Sequence, residues 1–118
     1  MKAKDRLGRR GEALAASYLE AAGVDLVDHN WRCALGEIDL IAIDGSTLVV
    51  IEVKTRSSLD FGHPMEGISA TKLHRLYLLG SMWAQAHELR FSAIRVDAVA
   101  VVDDGTGAPQ IDYLQAVS

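Results

Sequence analysis

Four charged side chains, Glu37, Asp39, Glu52 and Lys54, interrupt the otherwise apolar stretch "GEIDLIAIDGSTLVVIEVKTR" that runs from Gly36 to Arg56. A charge buried without a partner costs several kcal/mol or neutralises itself, so their presence asks for a reason. Side chains alternate faces along a strand: Glu37 and Asp39 share a face, and so do Glu52 and Lys54. A hairpin turn at Gly45-Ser46, glycine first as a II′ turn wants, sets Asp39 opposite Glu52 and Glu37 opposite Lys54. With Asp44-Gly45 as the turn the register moves by two and the faces still agree; only an odd-length loop separates the pairs. Directly opposed residues have Cβ atoms about 4.5–5.5 Å apart. Two carboxylates that close repel until one takes a proton or both share a cation. Lys54 balances one acid and leaves a surplus. A hard divalent ion resolves it, because Mg²⁺ takes one or two carboxylates at about 2.0–2.1 Å and keeps waters for a substrate phosphate. The chemistry this suits is metal-assisted hydrolysis of a phosphodiester.

Glu-x-Lys alone is common, and on an exposed strand it is a surface ion pair worth under about 1 kcal/mol. Here the acids are expected to share their face with Ile41, Ile43, Leu48 and Val50, which makes that face half-buried. The opposing strand also brings acids rather than lysines, so the cluster does not neutralise itself.

The elements that must position these residues are legible in the hydrophobic pattern. Leu7, Leu14, Ala15, Tyr18, Leu19 and Ala22 recur at helical spacing from Arg6 to Gly23, with Gly23 a natural stop. Asp25–Cys33 is weakly strand-like, whereas Gly36–Asp44 and Thr47–Thr55 are rich in Ile and Val. Ser57–Gly67, with Gly62 and Pro64, reads as a loop. Ser69 can cap a helix to about His87 whose inward face carries Leu73, Leu76, Tyr77, Gly80 and Ala84. Ile94–Val102 is a further apolar strand, Asp103–Pro109 a turn cluster, and Gln110–Ala116 a short last strand. The expected order is α-β-β-β-α-β-β in a single domain over residues 1–118, with a loose basic segment at 1–6.

The bulk composition is that of an ordinary soluble globular domain: 118 residues, 49% hydrophobic and 24% charged. Cys33 is the single cysteine, which rules out an internal disulfide and suits a reducing compartment. No apolar run approaches the roughly 20 residues of a membrane span, and no apolar h-region follows the basic start. A cytoplasmic protein without membrane partners is expected. The net charge of −4 argues mildly against a polyanionic partner, but its distribution is uneven. Lys2, Lys4, Arg6, Arg9 and Arg10 crowd the first ten positions, and no Lys or Arg follows Arg95. A local basic stripe counts for more than the total in binding nucleic acid; the competing reading is a solvated tail and first turn.

Asp39 and "E52-V53-K54" in a β-hairpin after a helix resemble the PD-(D/E)xK nuclease superfamily. The segments "GRRGEALAASYLEAAG", "NWRCALGEIDLIAID", "LVVIEVKTRSSLDFGHP", "KLHRL" and "RVDAVAVV" together resemble the bacterial YraN family, which is similar to archaeal Holliday-junction resolvases. The likeness extends from about Leu7 to Val102. It implies a restriction-endonuclease-like α-β-β-β-α-β core, a mixed sheet flanked by helices, here with an extra C-terminal strand. Carried over by position, Asp39 and Glu52 are metal ligands and Lys54 is the motif's lysine. The pattern "G-x-x-GE" on the first helix makes Glu12 a further ligand. Ile38 stands where the superfamily's name has proline. The implied chemistry is attack of water, activated by Mg²⁺ or Mn²⁺, on a backbone phosphate. Lys54 would position or deprotonate that water or stabilise the developing charge, and the residues do not choose among these. Glu37 is assigned to orienting Lys54, with ligation as its alternative.

Arg9, Arg10, Arg56, Lys72 and Arg75 fit a face that tracks phosphates, with Lys72 in the first turn of the second helix, where free amides favour anions. Other chemistries lack support. His29, His63, His74 and His87 show no zinc-site spacing with one another or with Cys33, and no phosphate-binding glycine pattern is present. Trp31, Tyr77 and Trp83 are expected to pack, and His63 to be a loop histidine. The leading function is thus a metal-dependent endonuclease on branched or structured DNA, which as a resolvase implies a homodimer. The alternative is a non-catalytic nucleic-acid-binding protein that retains the nuclease fold. A third reading, an interaction domain whose acids form an ion-pair cluster, expects no salt-sensitive affinity for nucleic acid.

Overall fold

The computed structural model describes residues 3–58 and 68–117, with the backbone alone for 3–5. Its elements are α1 (Ala3–Ala21), β1 (Leu26–Cys33), β2 (Gly36–Asp44), β3 (Thr47–Arg56), α2 (Ala70–Ala86), β4 (Ala93–Val102) and β5 (Gln110–Leu114). The five strands form one mixed sheet in the order β1-β2-β3-β4-β5. β3 and β4 run parallel, joined by the crossover through α2, and the other neighbours are antiparallel. The architecture is the expected α-β-β-β-α-β-β order with a short C-terminal strand. α1 starts at Ala3, inside the segment expected to be loose; Met1 and Lys2 lie outside the described residues, as does His63.

Each helix covers one face of the sheet. Ala15 and Leu19 of α1 pack with Leu40, Ala42, Val49, Ile51, Val53, Val99 and Val101. Leu76, Leu79 and Trp83 of α2 pack with Ile38, Ile41, Leu48, Val50 and Val96 on the opposite face. Because β3 and β4 are covered on both sides, they read as nearly unbroken apolar runs instead of alternating ones. Ser69 caps α2, its side chain accepting from the Lys72 amide. Gly80 lets α2 approach the sheet closely: a methyl there would lie 2.7 Å from Val50 Cγ2.

The central hairpin turns at Gly45-Ser46, pairing Asp44 with Thr47, with Gly45 at φ +60°. Its ladder ends at Leu40–Ile51, so Asp39 and Glu52 do not form the next pair. The strand alternation slips at this point. Ile38 and Ile41 both pack under α2 while Leu40 packs under α1, which regular alternation forbids for Ile38 and Leu40. Across from Asp39 on β1, Asn30 takes φ +50°, and the β1–β2 ladder skips that pair between His29–Leu40 and Trp31–Ile38. Asn is among the side chains that enter this left-handed region most readily.

At the far edge, Asp97 is fully buried yet well supplied with donors. It accepts from Arg95 Nε (2.9 Å) and Nη2 (3.1 Å), from the Tyr113 hydroxyl and from the Ala116 amide (2.9 Å). Arg95 also reaches Asp44 at 3.1 Å, which ties the hairpin turn to β4. This network fastens β5 and the tail after it to the sheet.

Candidate metal centre

The slip at Asp39 decides where the acids go. With Ile38 under α2, Glu37 points to the opposite, α1 side, so the expectation that all four charges share one face is corrected. Glu52 and Lys54 stay on the α2 side with Leu48 and Val50. Glu37 instead faces α1, where the carboxylates of Glu12, Glu37 and Asp39 bring one oxygen each within 4.8 Å of one another. Glu12 arrives because Gly11 lets α1 sit almost on β3. A methyl at Gly11 would lie 1.9 Å from Thr55 Oγ1, so any side chain at this crossing must push Thr55 or the helix aside.

Asp39 occupies the opening in the sheet. Past the end of the hairpin ladder, the Val53 amide donates to its carboxylate at 2.8 Å. That bond favours the ionised form, but burial first, then the charges of Glu52, Glu12 and Glu37, outweigh it and push Asp39 up to about 7. Glu12 is raised as well, by burial and then by Glu37, with Asn30 and Arg32 pulling the other way. With its amide nitrogen turned toward the acids, Asn30 donates to Glu12 Oε2 (2.8 Å) and Glu37 Oε1 (3.2 Å). The left-handed backbone at Asn30 thus aims a neutral donor at two carboxylates. Arg32 Nε lies 3.3 Å from Glu37 Oε2, though its side chain is 77% exposed.

Glu52 is served from the other side. Lys72 Nζ, from the first turn of α2, lies 3.1 Å from Glu52 Oε1, and Lys54 Nζ lies 3.9 Å from the same oxygen. Burial and then the neighbouring Lys72 lower the Lys54 ammonium. Burial pulls Lys72 down too, but its contacts with Lys54 and Glu52 outweigh this and leave it raised. Lys54 is accordingly the more easily neutralised of the two.

Of the other residues singled out in the sequence, Arg9 lines a cleft of about 970 Å³ that also holds Glu12 and Glu37. Arg56 lines a smaller cleft of about 340 Å³ together with Glu12 and Lys54, so Glu12 joins the two. Arg10 is taken up in an ion pair with Asp103 that pins α1 to the end of β4. Arg75 is exposed beside Gly36 and forms no ion pair among the described residues. The structure therefore brings Glu12, Glu37 and Asp39 together, sets Glu52 with Lys54 and Lys72, and pairs Glu37 with Arg32 and Asn30, not with Lys54. Asn30 and Arg32 escaped the sequence reading because they lie on a weakly patterned strand; an Asn opposite the motif acid was their one faint signal.

The chain aligns with a family model, "Uncharacterised protein family UPF0102", over residues 11–101. It belongs to the UPF0102, or YraN, family. A UPF0102 protein of an Arthrobacter species (strain FB24) is 57% identical over 117 residues, covering 99% of both chains. One from Paenarthrobacter aurescens is 56% identical over 117 residues, covering 99% of this chain and 97% of its own. Another from Beutenbergia cavernae is 48% identical over 117 residues and covers 99% of both. The matched span of this UPF0102 chain begins at Gly11 and contains every acid of the cluster.

The donors fit a hard cation. Carboxylate oxygens that share an octahedral Mg²⁺ or Mn²⁺ site stand about 2.9 Å apart when adjacent and about 4.1 Å when opposite. Three carboxylate oxygens already within 4.8 Å of one another stand close to that spacing. Among the described residues, no helix is long and apolar enough to cross a membrane.

Proposed function

We propose that this protein is a metal-dependent endonuclease of the PD-(D/E)xK type that hydrolyses phosphodiester bonds in branched or structured DNA, as Holliday-junction resolvases do. The observation that carries the reading is the meeting of Glu12, Glu37 and Asp39 beside a lysine pair on Glu52. A surface ion-pair cluster would match acids to bases one for one. Here the two lysines both address Glu52, and the three clustered acids have weak neutralisation from inside the chain.

In this reading Glu12, Glu37 and Asp39 hold Mg²⁺ or Mn²⁺, with Glu52 adding its charge from the α2 side. The ion would supply a water of lowered pKa and neutralise charge on the phosphoryl oxygens. Glu37 thus moves from orienting Lys54 to the ligand set. The Val53 amide fixes the Asp39 carboxylate, and Asn30 fixes Glu12 and Glu37 relative to each other. Lys54, whose ammonium is lowered by burial and by Lys72, is suited to take a proton from the attacking water or to face the pentacoordinate phosphorane. Arg9, Arg56 and Lys72 border the acids as phosphate contacts, with Arg75 farther out on α2, and such contacts position a strand without reading its sequence.

The test is cleavage of end-labelled four-way junction, flap and linear duplex in Mg²⁺ or Mn²⁺ by wild type, Asp39→Asn and Lys54→Ala. Metal-dependent cutting that is lost in both variants supports the nuclease. Retarded but uncut DNA, unchanged by either substitution, replaces it with a nucleic-acid-binding protein.

A further inference from the structure

The 970 Å³ cleft beside the acids is larger than a cation and a phosphate need. It lies between α1 and the β1–β2 edge, and its chemistry is divided. The exposed Ala13 and half-buried Ala16 of α1 give it an apolar wall, with Leu40 of β2 buried at its floor. Arg9 on the helix side and Arg32 on the sheet side carry cations, and His29 presents an exposed aromatic ring. Glu12 and Glu37 close one end and join the cleft to the acid cluster.

We propose that this cleft receives one unpaired nucleotide of the strand engaged by the acids, the base against Ala13, Ala16 and Leu40 and its flanking phosphate between Arg9 and Arg32. The proposal rests on the nuclease reading for the identity of that strand. The volume is at the upper end of what sites for small molecules enclose, about 300–1,000 Å³, and far below what a duplex segment needs. An intact duplex offers phosphates, sugars and base edges outward while its base faces stay stacked inside, so it has no planar face to place on an apolar lining. An unpaired base can be splayed out and does. Guanidinium groups on facing walls match the flanking phosphate. A free mononucleotide has the same chemistry in part, but its phosphate dianion would lie close to Glu12 and Glu37 without the rest of a strand to hold it. The specificity expected is therefore for DNA with a bulge, gap or junction next to the cut.

The experiment measures fluorescence anisotropy in Ca²⁺ with two fluorescein-labelled duplexes of equal length, one fully paired and one with a central single-nucleotide bulge. Wild type is expected to bind the bulged duplex about tenfold more tightly. Ala13→Leu, at an exposed helical position that tolerates leucine, should bring the bulged affinity down to that of the paired duplex, and Arg32→Gln should narrow the difference several-fold. Equal affinity of wild type for the two duplexes, or a preference untouched by Ala13→Leu, overturns the proposal. So does competition by free dTMP as effective as by the bulged duplex, which would assign the cleft to a small molecule. The same duplexes incubated in Mg²⁺ and in Mn²⁺ separate the two readings. A bulge preference without cutting keeps the cleft and removes the nuclease. Equal binding and cutting of both duplexes keeps the nuclease and removes the cleft.

Discussion

Replacing Asp39 by Asn should stabilise the metal-free protein, and do so increasingly as the pH rises. Asp39 moves from an ordinary 3.8 to about 7 on folding, so the neutral carboxyl is the form that folding favours. Its contribution is fully present below the unfolded value of 3.8 and is lost as pH rises through about 7. Wild type therefore carries a growing penalty over that window, which Asn, never ionised, avoids. Linkage over these two values makes the penalty about 2–3 kcal/mol greater at pH 8 than at pH 5. Asn keeps an oxygen for the Val53 amide, so the bond that anchors the residue survives. For a domain of this size the difference amounts to a melting-temperature gap that widens by roughly 10 °C between the two pH values. Calorimetry or dye-monitored melting in chelator, at pH 5 and pH 8, reads it directly. Saturating Mg²⁺ at pH 8 should then raise wild type and leave Asp39→Asn where it was. A gap of the same size at both pH values would show that Asp39 does not carry the buried charge argued here.

Lys72→Gln removes the nearer counter-ion of Glu52, so Mn²⁺ affinity by titration calorimetry should rise about three- to tenfold, the effect of roughly 1 kcal/mol at a half-buried pair, while junction cleavage falls; unchanged metal affinity would mean that Lys72 does not compete for the acid. Gly11→Ala drives a methyl into Thr55, and overpacking of this kind costs about 1–3 kcal/mol. Urea unfolding should show that loss, with part of it recovered by adding Thr55→Ala, and a neutral Gly11→Ala would place α1 farther from β3. Asp97→Asn sets an amide nitrogen among donors and leaves Arg95 poorly matched, for a loss of about 3 kcal/mol by urea unfolding; a neutral result would mean the network adds nothing to the attachment of β5.

The hairpin was legible because a local rule governs it: a two-residue turn with glycine first sets its own register, and Asp44 does pair with Thr47. The capped second helix and the unbroken apolar runs of β3 and β4 were legible for similar reasons. The faces of the acids were not. Strict alternation assumes an unbroken ladder, and the ladder breaks at Asn30 and Asp39, where a side chain, and not a backbone carbonyl, satisfies the Val53 amide. Nothing in "GEIDLI" marks that slip, because the pattern of apolar residues tolerates it by moving Ile38 to the other core. Partners distant in the chain were equally hidden. Arg10, read as a phosphate contact, also meets Asp103, 93 residues away, once α1 packs. Lys72 meets Glu52 only once α2 has packed on the sheet, 20 residues along the chain from that acid.

The break in the sheet is also what makes a cation site physically reasonable. In an intact ladder, Asp39 would lie across from Glu52 and Glu37 across from Lys54, so that the lysine would balance one of the three acids. Moving Glu37 to the α1 face separates it from that lysine and adds it to Glu12 and Asp39. What it receives in exchange is Arg32, too exposed to be worth much, and the neutral amide of Asn30. Two lysines remain with one acid while three acids share little more than backbone and amide donors. A chain selected for stability alone would remove that imbalance with one substitution, and Asp39→Asn is that substitution. In the proposed reading, retaining the carboxylate is a cost in the metal-free protein that a bound divalent ion would offset.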